Sequence, residues 1–182
     1  VYLMQDSVFR RFLDQPYKDA ICQMVEEEKP LAILLSATAM GRSLAPRISA
    51  KLHTGLTADC TKLELCTNGL MIQTRPAFGG NLYASLLCPY TWPQMSTVRA
   101  KVMQPIEADY NRKGEVIEKH YELDRAAILA NIIDYIAKEN EATVDEAEII
   151  VTAGFGIASE KGLELAQELA EVLGGALGSS RK

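Results

Sequence analysis

The amino-acid sequence predicts an α/β fold built on parallel strands, with an added β-hairpin region and the beginning of a second α/β unit. The apolar run at residues 31–35 is typical of a buried parallel strand, and helical patterns precede and follow it. The dipeptide Asn68-Gly69 separates two strand-like runs and predicts a hairpin. Residues 148–152 form a further strand-like run, followed by a glycine turn and a helix with Ser159 as its N-cap.

The composition is that of a globular protein. The 182 residues are 48% hydrophobic and 24% charged, and the net charge of −5 disfavours general nucleic-acid binding. The uncharged stretch at residues 76–98 comes nearest to a membrane helix, but proline, glycine and polar residues interrupt it. We therefore expect neither a nucleic-acid partner nor membrane insertion. Because the chain begins without Met and has no structural reason to stop at Lys182, we expect it to be a piece of a longer protein.

Strand and helix patterns alternate through the first 60 residues. Residues 1–5 predict a short strand, and Asp14 as N-cap begins a helix that Pro30 ends. A second helix is predicted over residues 43–52, with Pro46 near its first turn. This alternation favours parallel strands, whose carboxyl ends bind ligands in open α/β sheets.

The turn at residues 36–41 is rich in small residues. At the carboxyl end of a parallel strand, such residues would let a ligand or a partner approach the backbone. The same composition fits an ordinary tight turn, and both interpretations stay open.

A long segment without carboxylates follows. Residues 1–103 carry 11 basic and 8 acidic side chains, and residues 104–182 carry 8 and 16, but no Asp or Glu lies within residues 65–106. The charged residues of that segment are Arg75, Arg99 and Lys101. The pattern fits a surface that faces an anionic ligand or an acidic partner, and it also fits strands that are buried on both faces. Strands are predicted at residues 63–66, 70–74, 82–88, 96–102 and 116–121.

The cysteines and histidines do not form a recognisable metal or redox motif. The cysteines are Cys22, Cys60, Cys66 and Cys88, and none has C-x-x-C spacing. We expect reduced thiols, a cytoplasmic location, no metal site and no catalytic residues.

The last third of the chain predicts two helices. Apolar residues at helical spacing predict the first over residues 124–137: Ile128, Ile132, Tyr135 and Ile136. The second runs from Ser159 to about residue 173. Gly154 and Gly156 precede it, but they form only G-x-G, which is a weak nucleotide-binding signal by itself.

Four motifs then appear in order: ATAMGRSLAPR at residues 37–47, TGLTADC at 54–60, QTRPAFGGN at 73–81 and PQMSTVR at 93–99. Together they make a sequence that resembles the alpha subunit of electron-transfer flavoprotein. The motif sequences are most like those of the branch found in anaerobic metabolism and nitrogen fixation, some members of which bifurcate electrons.

The resemblance implies an alpha–beta heterodimer with three domains. Residues 1–122 would form most of a three-layer, flavodoxin-like (nucleotide-hydrolase-like) domain without its opening strand and helix. Residues 123–147 would connect it to residues 148–182, the first strand and helix of an FAD-binding domain. In this family the segment around residues 126–135 can be extended, which conflicts with the helix predicted there.

The resemblance also implies site residues. Ser180 and Arg181 match a pair that contacts FAD, and Gly154 and Gly156 lie in the matching glycine turn. Phe155 stands where the family usually has an arginine, so one cationic contact to FAD is missing. Because the other FAD-binding motifs would follow Lys182, we do not expect this chain to hold FAD alone.

Arg75 matches an arginine that, in bifurcating relatives, reaches toward a second flavin held by the beta subunit. A guanidinium there would stabilise the anionic reduced flavin. The other interpretation is that Arg75 only fixes the subunit interface, in a pair with Asp59.

The resemblance implies an electron carrier rather than an enzyme with its own substrate. It would take electrons from dehydrogenases through FAD to a downstream acceptor, with flavin-based bifurcation as a further role. The alternative is an α/β scaffold that binds no flavin and holds a partner or an adenine nucleotide.

Overall fold

The computed structural model describes residues 1–123, 125–134, 136, 144, 147–157 and 159–179. The chain divides into two compact units, Val1–Ile132 and Ile133–Lys182. The first unit contains β1 (Tyr2–Met4), α1 (Asp14–Glu28), β2 (Ala32–Ser36), α2 (Ala39–Leu52), β3 (Leu56–Cys60), β4 (Lys62–Leu65), β5 (Met71–Ala77), β6 (Leu82–Leu86), β7 (Gln94–Val98) and β8 (Ile117–Lys119). The second contains β9 (Ile150–Ala153), α3 (Glu160–Val172) and β10 (Ala176–Ser179). The α/β class predicted from the sequence is confirmed.

The central sheet of the first unit is parallel, in the order β2–β7–β3. The helices α1 and α2 supply the core that packs on one of its faces. The buried residues of this core are Cys22, Leu44, Ile48 and Met95. Side chains alternate along a strand, so β2 contributes Ile33 and Leu35 to this face.

The prediction that residues 31–35 form a buried strand was wrong for one face of β2. Leu34 is 54% exposed, because within the first unit only one face of this edge strand is covered by the helices. Strand β7 is buried on both faces, since it lies at the centre of the sheet.

A second, antiparallel sheet in the order β4–β5–β6 covers the other face at β3 and β7. The predicted hairpin is confirmed, with Leu65 opposite Met71. The Cys66 carbonyl accepts a 3.0 Å hydrogen bond from the Gly69 amide, and Gly69 has φ 82°. The hairpin therefore closes with a three-residue loop, in which glycine supplies the left-handed position.

Buried polar side chains join the two sheets. Ser96 Oγ donates a 2.9 Å hydrogen bond to Gln73 Oε1, and the Met71 amide donates one of 2.8 Å to Gln94 Oε1. Gln73, Gln94 and Ser96 are at most 1% exposed. Since buried polar groups cost free energy when unpaired, this layer fixes the position of the hairpin on the sheet.

The remaining strands of the first unit, β1 and β8, pair in parallel. Lys119 on β8 forms ion pairs of 2.8 Å with Glu27 and Glu28 at the end of α1. These hydrogen bonds lower the pKa of both glutamates and raise the pKa of Lys119.

Both helix starts in the first unit differ from the prediction. Helix α2 begins at Ala39 rather than at residue 43, because Thr38 caps it by accepting a 3.3 Å hydrogen bond from the Gly41 amide. Pro46 consequently lies inside the helix. Helix α1 begins at Asp14 itself, and the Asp14 carboxylate lies 3.4 Å from Arg47 instead of capping the helix.

The helix predicted over residues 124–137 is not present in its described part. There the chain forms one 3₁₀ turn, Arg125–Ala127, and residues 128–134 have no regular structure. Among the described residues of the predicted apolar face, Ile128 and Ile132 are half-buried although they lie outside any helix, and Ile136 is 88% exposed. Tyr135 lies outside those residues.

The second unit is a strand–helix–strand motif, with β9 and β10 paired in parallel. Ser159 caps α3 as predicted, and Gly174 at φ 63° follows its last turn. Helix α3 buries Ala166 and Ala170. Strand β10 was not predicted. No helix among the residues that can be described is both long and apolar enough to cross a membrane.

Candidate functional site

The carboxyl ends of β2, β7 and β3 meet at one edge of the central sheet. The Ala37 amide donates a 2.7 Å hydrogen bond to the Val98 carbonyl, and the Arg99 amide donates one of 3.1 Å to the Cys60 carbonyl. This is the edge at which open α/β sheets bind ligands.

Helix α2 starts directly above this edge because Gly41 allows a close approach. A Cβ atom at Gly41 would lie 1.9 Å from the Ser36 carbonyl oxygen, so only glycine fits. The next residue, Arg42, folds back and donates a 2.8 Å hydrogen bond from Nε to the Ala37 carbonyl. The small residues at 36–41 thus serve the close packing of helix on strand, which is the tight-turn interpretation.

Asp59 supplies the carboxylate at the edge. A register shift between Thr57 and Cys60 makes a bulge in β3, and Asp59 has φ 60°, an uncommon backbone conformation for a residue other than glycine. Thr97 Oγ1 accepts a 2.9 Å hydrogen bond from the Asp59 amide. The carboxylate lies 3.1 Å from Arg42 and 4.0 Å from Arg99.

Arg75 is not paired with Asp59, contrary to the pairing suggested from the sequence. It is half-buried on β5, and its guanidinium forms no hydrogen bond or ion pair with any residue that the structure describes. Asp59 pairs instead with the arginines of α2 and of the loop after β7.

Arg75 and Arg99 line one cavity of about 330 Å³, together with the turn that joins β5 to β6. That turn, Phe78–Gly80, has three successive positive φ angles, of 48°, 70° and 92°. Phe78 is 82% exposed beside the cavity. The geometry therefore presents two guanidinium groups and one aromatic ring on the same open surface.

None of the described residues that line the cavity has a nucleophilic side chain. Burial raises the pKa of the nearby Cys60 thiol, and the Ser96 hydrogen bond and the Arg75 charge offset that effect in part. A buried, protonated thiol is unreactive. In the described ranges, no group of three or more His, Cys, Asp or Glu side chains could hold a metal ion.

The glycine turn after β9 is the second candidate site. Nothing lies within 4 Å of a Cβ placed on Gly154 or Gly156, so the backbone is open to a close ligand. Phe155 is 93% exposed and brings no charge. Ser180 and Arg181, the other predicted FAD contacts, lie outside the described residues.

Sequence reasoning missed two members of the first site. Arg42 was noted only as part of a motif, and Asp59 only as a partner for Arg75. The signal that could have found them is positional, since Arg42 lies in the first turn of the helix that follows β2 and Asp59 lies near the end of β3, and the carboxyl ends of both strands share one edge of the sheet.

Comparison with known proteins assigns both units to related families. The electron transfer flavoprotein domain matches residues 1–124, and the electron transfer flavoprotein FAD-binding domain matches residues 143–182. An electron transfer flavoprotein subunit alpha from Thermoanaerobacterium thermosaccharolyticum is 46% identical over 183 residues, which cover 100% of this chain and 55% of the relative.

Two further relatives have other names. The subunit LctC of lactate dehydrogenase (NAD(+),ferredoxin) from Acetobacterium woodii is 38% identical, and the match covers 100% of this chain and 43% of the relative. Protein FixB of Azotobacter vinelandii is 35% identical, over 99% of this chain and 51% of its own. The chain spans about half the length of the curated relatives it matches.

Proposed function

This chain belongs to the electron transfer flavoprotein family, and we propose that it is the alpha subunit of a two-chain electron carrier. In the complete protein it pairs with a beta subunit and holds FAD in its second domain. FAD supplies reversible one- and two-electron transfer, so this chain's residues need only bind the flavin and adjust its potential. One relative named as an electron transfer flavoprotein subunit alpha and one named FixB support this assignment.

The proposed domain organisation follows the two matched segments. We assign residues 1–122 to the first domain, residues 123–147 to the connection and residues 148–182 to the start of the FAD-binding domain. Dehydrogenases would be the donors or acceptors, in a cytoplasmic location that accords with four free cysteines. One relative is named for a dehydrogenase that uses NAD(+) and ferredoxin, which supports bifurcation as a further role.

The observation that carries the proposal is the half-buried Arg75 in an open cavity, without a carboxylate partner among the described residues. A cation that the first unit leaves uncompensated is suited to an anion that comes from outside it. We propose that this anion is the reduced flavin of the beta subunit. Its negative charge would be stabilised by the guanidinium, which raises the reduction potential.

Arg75 has a second possible role, in which it fixes the subunit interface without an electronic effect. In that case Arg75→Ala weakens the association of the two subunits, and the potential of the bound flavin stays the same. Under our proposal the potential changes even in the fully assembled heterodimer.

For the second site, the fit to FAD is partial. Gly154 and Gly156 leave room for the backbone to approach a phosphate, and the capped start of α3 follows them. Phe155 supplies no positive charge where an arginine would, which is the observation that favours the scaffold alternative.

The experiment that separates carrier from scaffold is the visible spectrum of the heterodimer. The complete chain is produced with its beta partner and purified by a tag on the partner only. We expect two flavin absorption bands that disappear on reduction with dithionite. A stable but colourless heterodimer would support the scaffold instead.

A further inference from the structure

We propose that Asp59 is a positioning residue that sets the charge of the arginine cavity, because Arg42 and Arg99 share its single negative charge while Arg75 is left without a carboxylate and is offered to an anionic ligand. This proposal deepens the proposed function, on which it rests for the identity of the anion. The charge balance itself depends only on the first unit.

The distances divide the three arginines into two kinds. Arg42 and Arg99 lie 3.1 Å and 4.0 Å from the Asp59 carboxylate, so each shares its negative charge. Arg75 forms no ion pair with a described residue, although it lines the same cavity as Arg99. One carboxylate thus pairs with two guanidinium groups, which leaves that cluster with one excess positive charge, and Arg75 adds a further positive charge to the cavity.

The backbone holds Asp59 in this role. The bulge in β3 and the φ of 60° turn its carboxylate toward the edge, and Thr97 Oγ1 fixes its amide. The Asp59 side chain is 20% exposed, so its charge is only partly screened by water. Its Oδ1 atom has no aligned hydrogen bond, which makes the 3.1 Å contact with Arg42 an electrostatic pairing rather than a directional one.

This arrangement predicts effects of opposite sign. Asp59→Asn removes the negative charge and frees two guanidinium groups, so the cavity binds an anion more tightly. Arg75→Gln removes the unpaired cation and weakens binding. Arg42→Gln also weakens binding, although Arg42 does not line the cavity. Without Arg42, the negative charge of Asp59 is less compensated and repels the anion more strongly.

The probe is inorganic pyrophosphate, titrated into the full-length alpha subunit by calorimetry at low salt. We expect Asp59→Asn to lower the dissociation constant about threefold and the two arginine variants to raise it by a similar factor. Asp14→Asn is the matched control, since Asp14 pairs with Arg47, which lies on the same helix as Arg42, at an exposure similar to that of the Arg42–Asp59 pair. It should leave binding unchanged.

Two results would overturn the proposal: weaker or unchanged binding by Asp59→Asn, or unchanged binding by Arg42→Gln. If Asp59→Asn does not fold, the surface variant Arg42→Gln decides the question. The heterodimer provides the second readout, in which Asp59→Asn raises the reduction potential of the flavin held by the beta subunit. A colourless heterodimer with the expected pyrophosphate pattern rejects the proposed function only. A flavin-bearing heterodimer without that pattern rejects the role of Asp59 only.

Discussion

The strand ends of the two units share a backbone design and differ in charge. In each, a parallel strand leads to a helix whose capping hydroxyl, of Thr38 or Ser159, accepts a hydrogen bond from a glycine amide three residues later. At the first strand end, Arg42 and Arg99 pair with Asp59, and Arg75 lines the cavity that Arg99 also lines. At the second, the described residues of the turn carry an exposed phenylalanine. Local backbone geometry therefore makes a strand end accessible, and the charged side chains decide what it can stabilise.

The glycines of these strand ends provide the largest expected effect. Gly41→Ala would place a Cβ 1.9 Å from a backbone carbonyl, whereas Gly154→Ala meets nothing within 4 Å. We expect Gly41→Ala to lower the free energy of unfolding by about 3 kcal/mol and Gly154→Ala by less than about 0.5 kcal/mol. Urea denaturation measures both. A loss below about 1 kcal/mol for Gly41→Ala would show that α2 can shift away from β2.

The next largest expected effect on stability comes from the hydrogen bond between Ser96 and Gln73, which joins the hairpin to the central sheet. Ser96→Ala removes the hydrogen-bond donor to Oε1 of the fully buried Gln73 side chain. The other polar atom of that side chain, Nε2, already has no partner among the described residues. We expect a loss of about 2 kcal/mol in the free energy of unfolding, because the buried Gln73 oxygen is left unsatisfied. Ser85→Ala is the control, since the Ser85–Thr74 hydrogen bond is exposed and its loss should have little effect.

Phe155→Arg would make the second strand end resemble the first. In the complete heterodimer, a cation at this exposed position should raise the reduction potential of the FAD in the second domain by an energy on the order of 1 kcal/mol per electron. Phe155→Gln controls for the loss of the ring without added charge. Equal potentials for the two variants would place the Phe155 side chain away from the flavin.

Acid stability of the first unit gives the smallest effect. The hydrogen bonds from Lys119 lower the pKa of Glu27 and Glu28 below their ordinary value of 4.5 in the folded state. Unfolding therefore takes up protons, and the stabilisation is present above pH 4.5 and is lost as the pH falls below it.

Lys119→Met should make the loss of stability between about pH 5 and pH 3 less steep. Thermal unfolding across that range measures the slope. Lys62→Met is the control, because Lys62 forms a 2.8 Å pair with Glu64 on an exposed strand. An unchanged slope in Lys119→Met would mean that other carboxylates control the acid response.

Local patterns predicted the parts of the fold that local physics determines. The hairpin at Asn68-Gly69 and the cap at Ser159 depend on residues within one turn, and both were predicted. The start of α2 was missed because Thr38 lies within a run of small residues that also fits a loop. The helix predicted after residue 124 was wrong because apolar residues at helical spacing, such as Ile128 and Ile132, can also be half-buried in an irregular segment.

The candidate site was predicted only in part for the same reason. Arg75 was identified through a motif, but the grouping of Arg42 and Arg99 around Asp59 depends on three strand ends that are distant in sequence. The bulge at Asp59 has no signal in the sequence, since its left-handed backbone occurs at an aspartate rather than at a glycine.

The most direct test of the central claim is the two-electron reduction potential of the flavin held by the beta subunit, measured in the heterodimer with Arg75→Gln and with Arg75→Lys. The account predicts a lower potential for Arg75→Gln and a potential nearer to the unmodified protein for Arg75→Lys, because lysine keeps the charge. Unchanged potential in the assembled, flavin-bearing Arg75→Gln heterodimer would contradict an electronic role for Arg75.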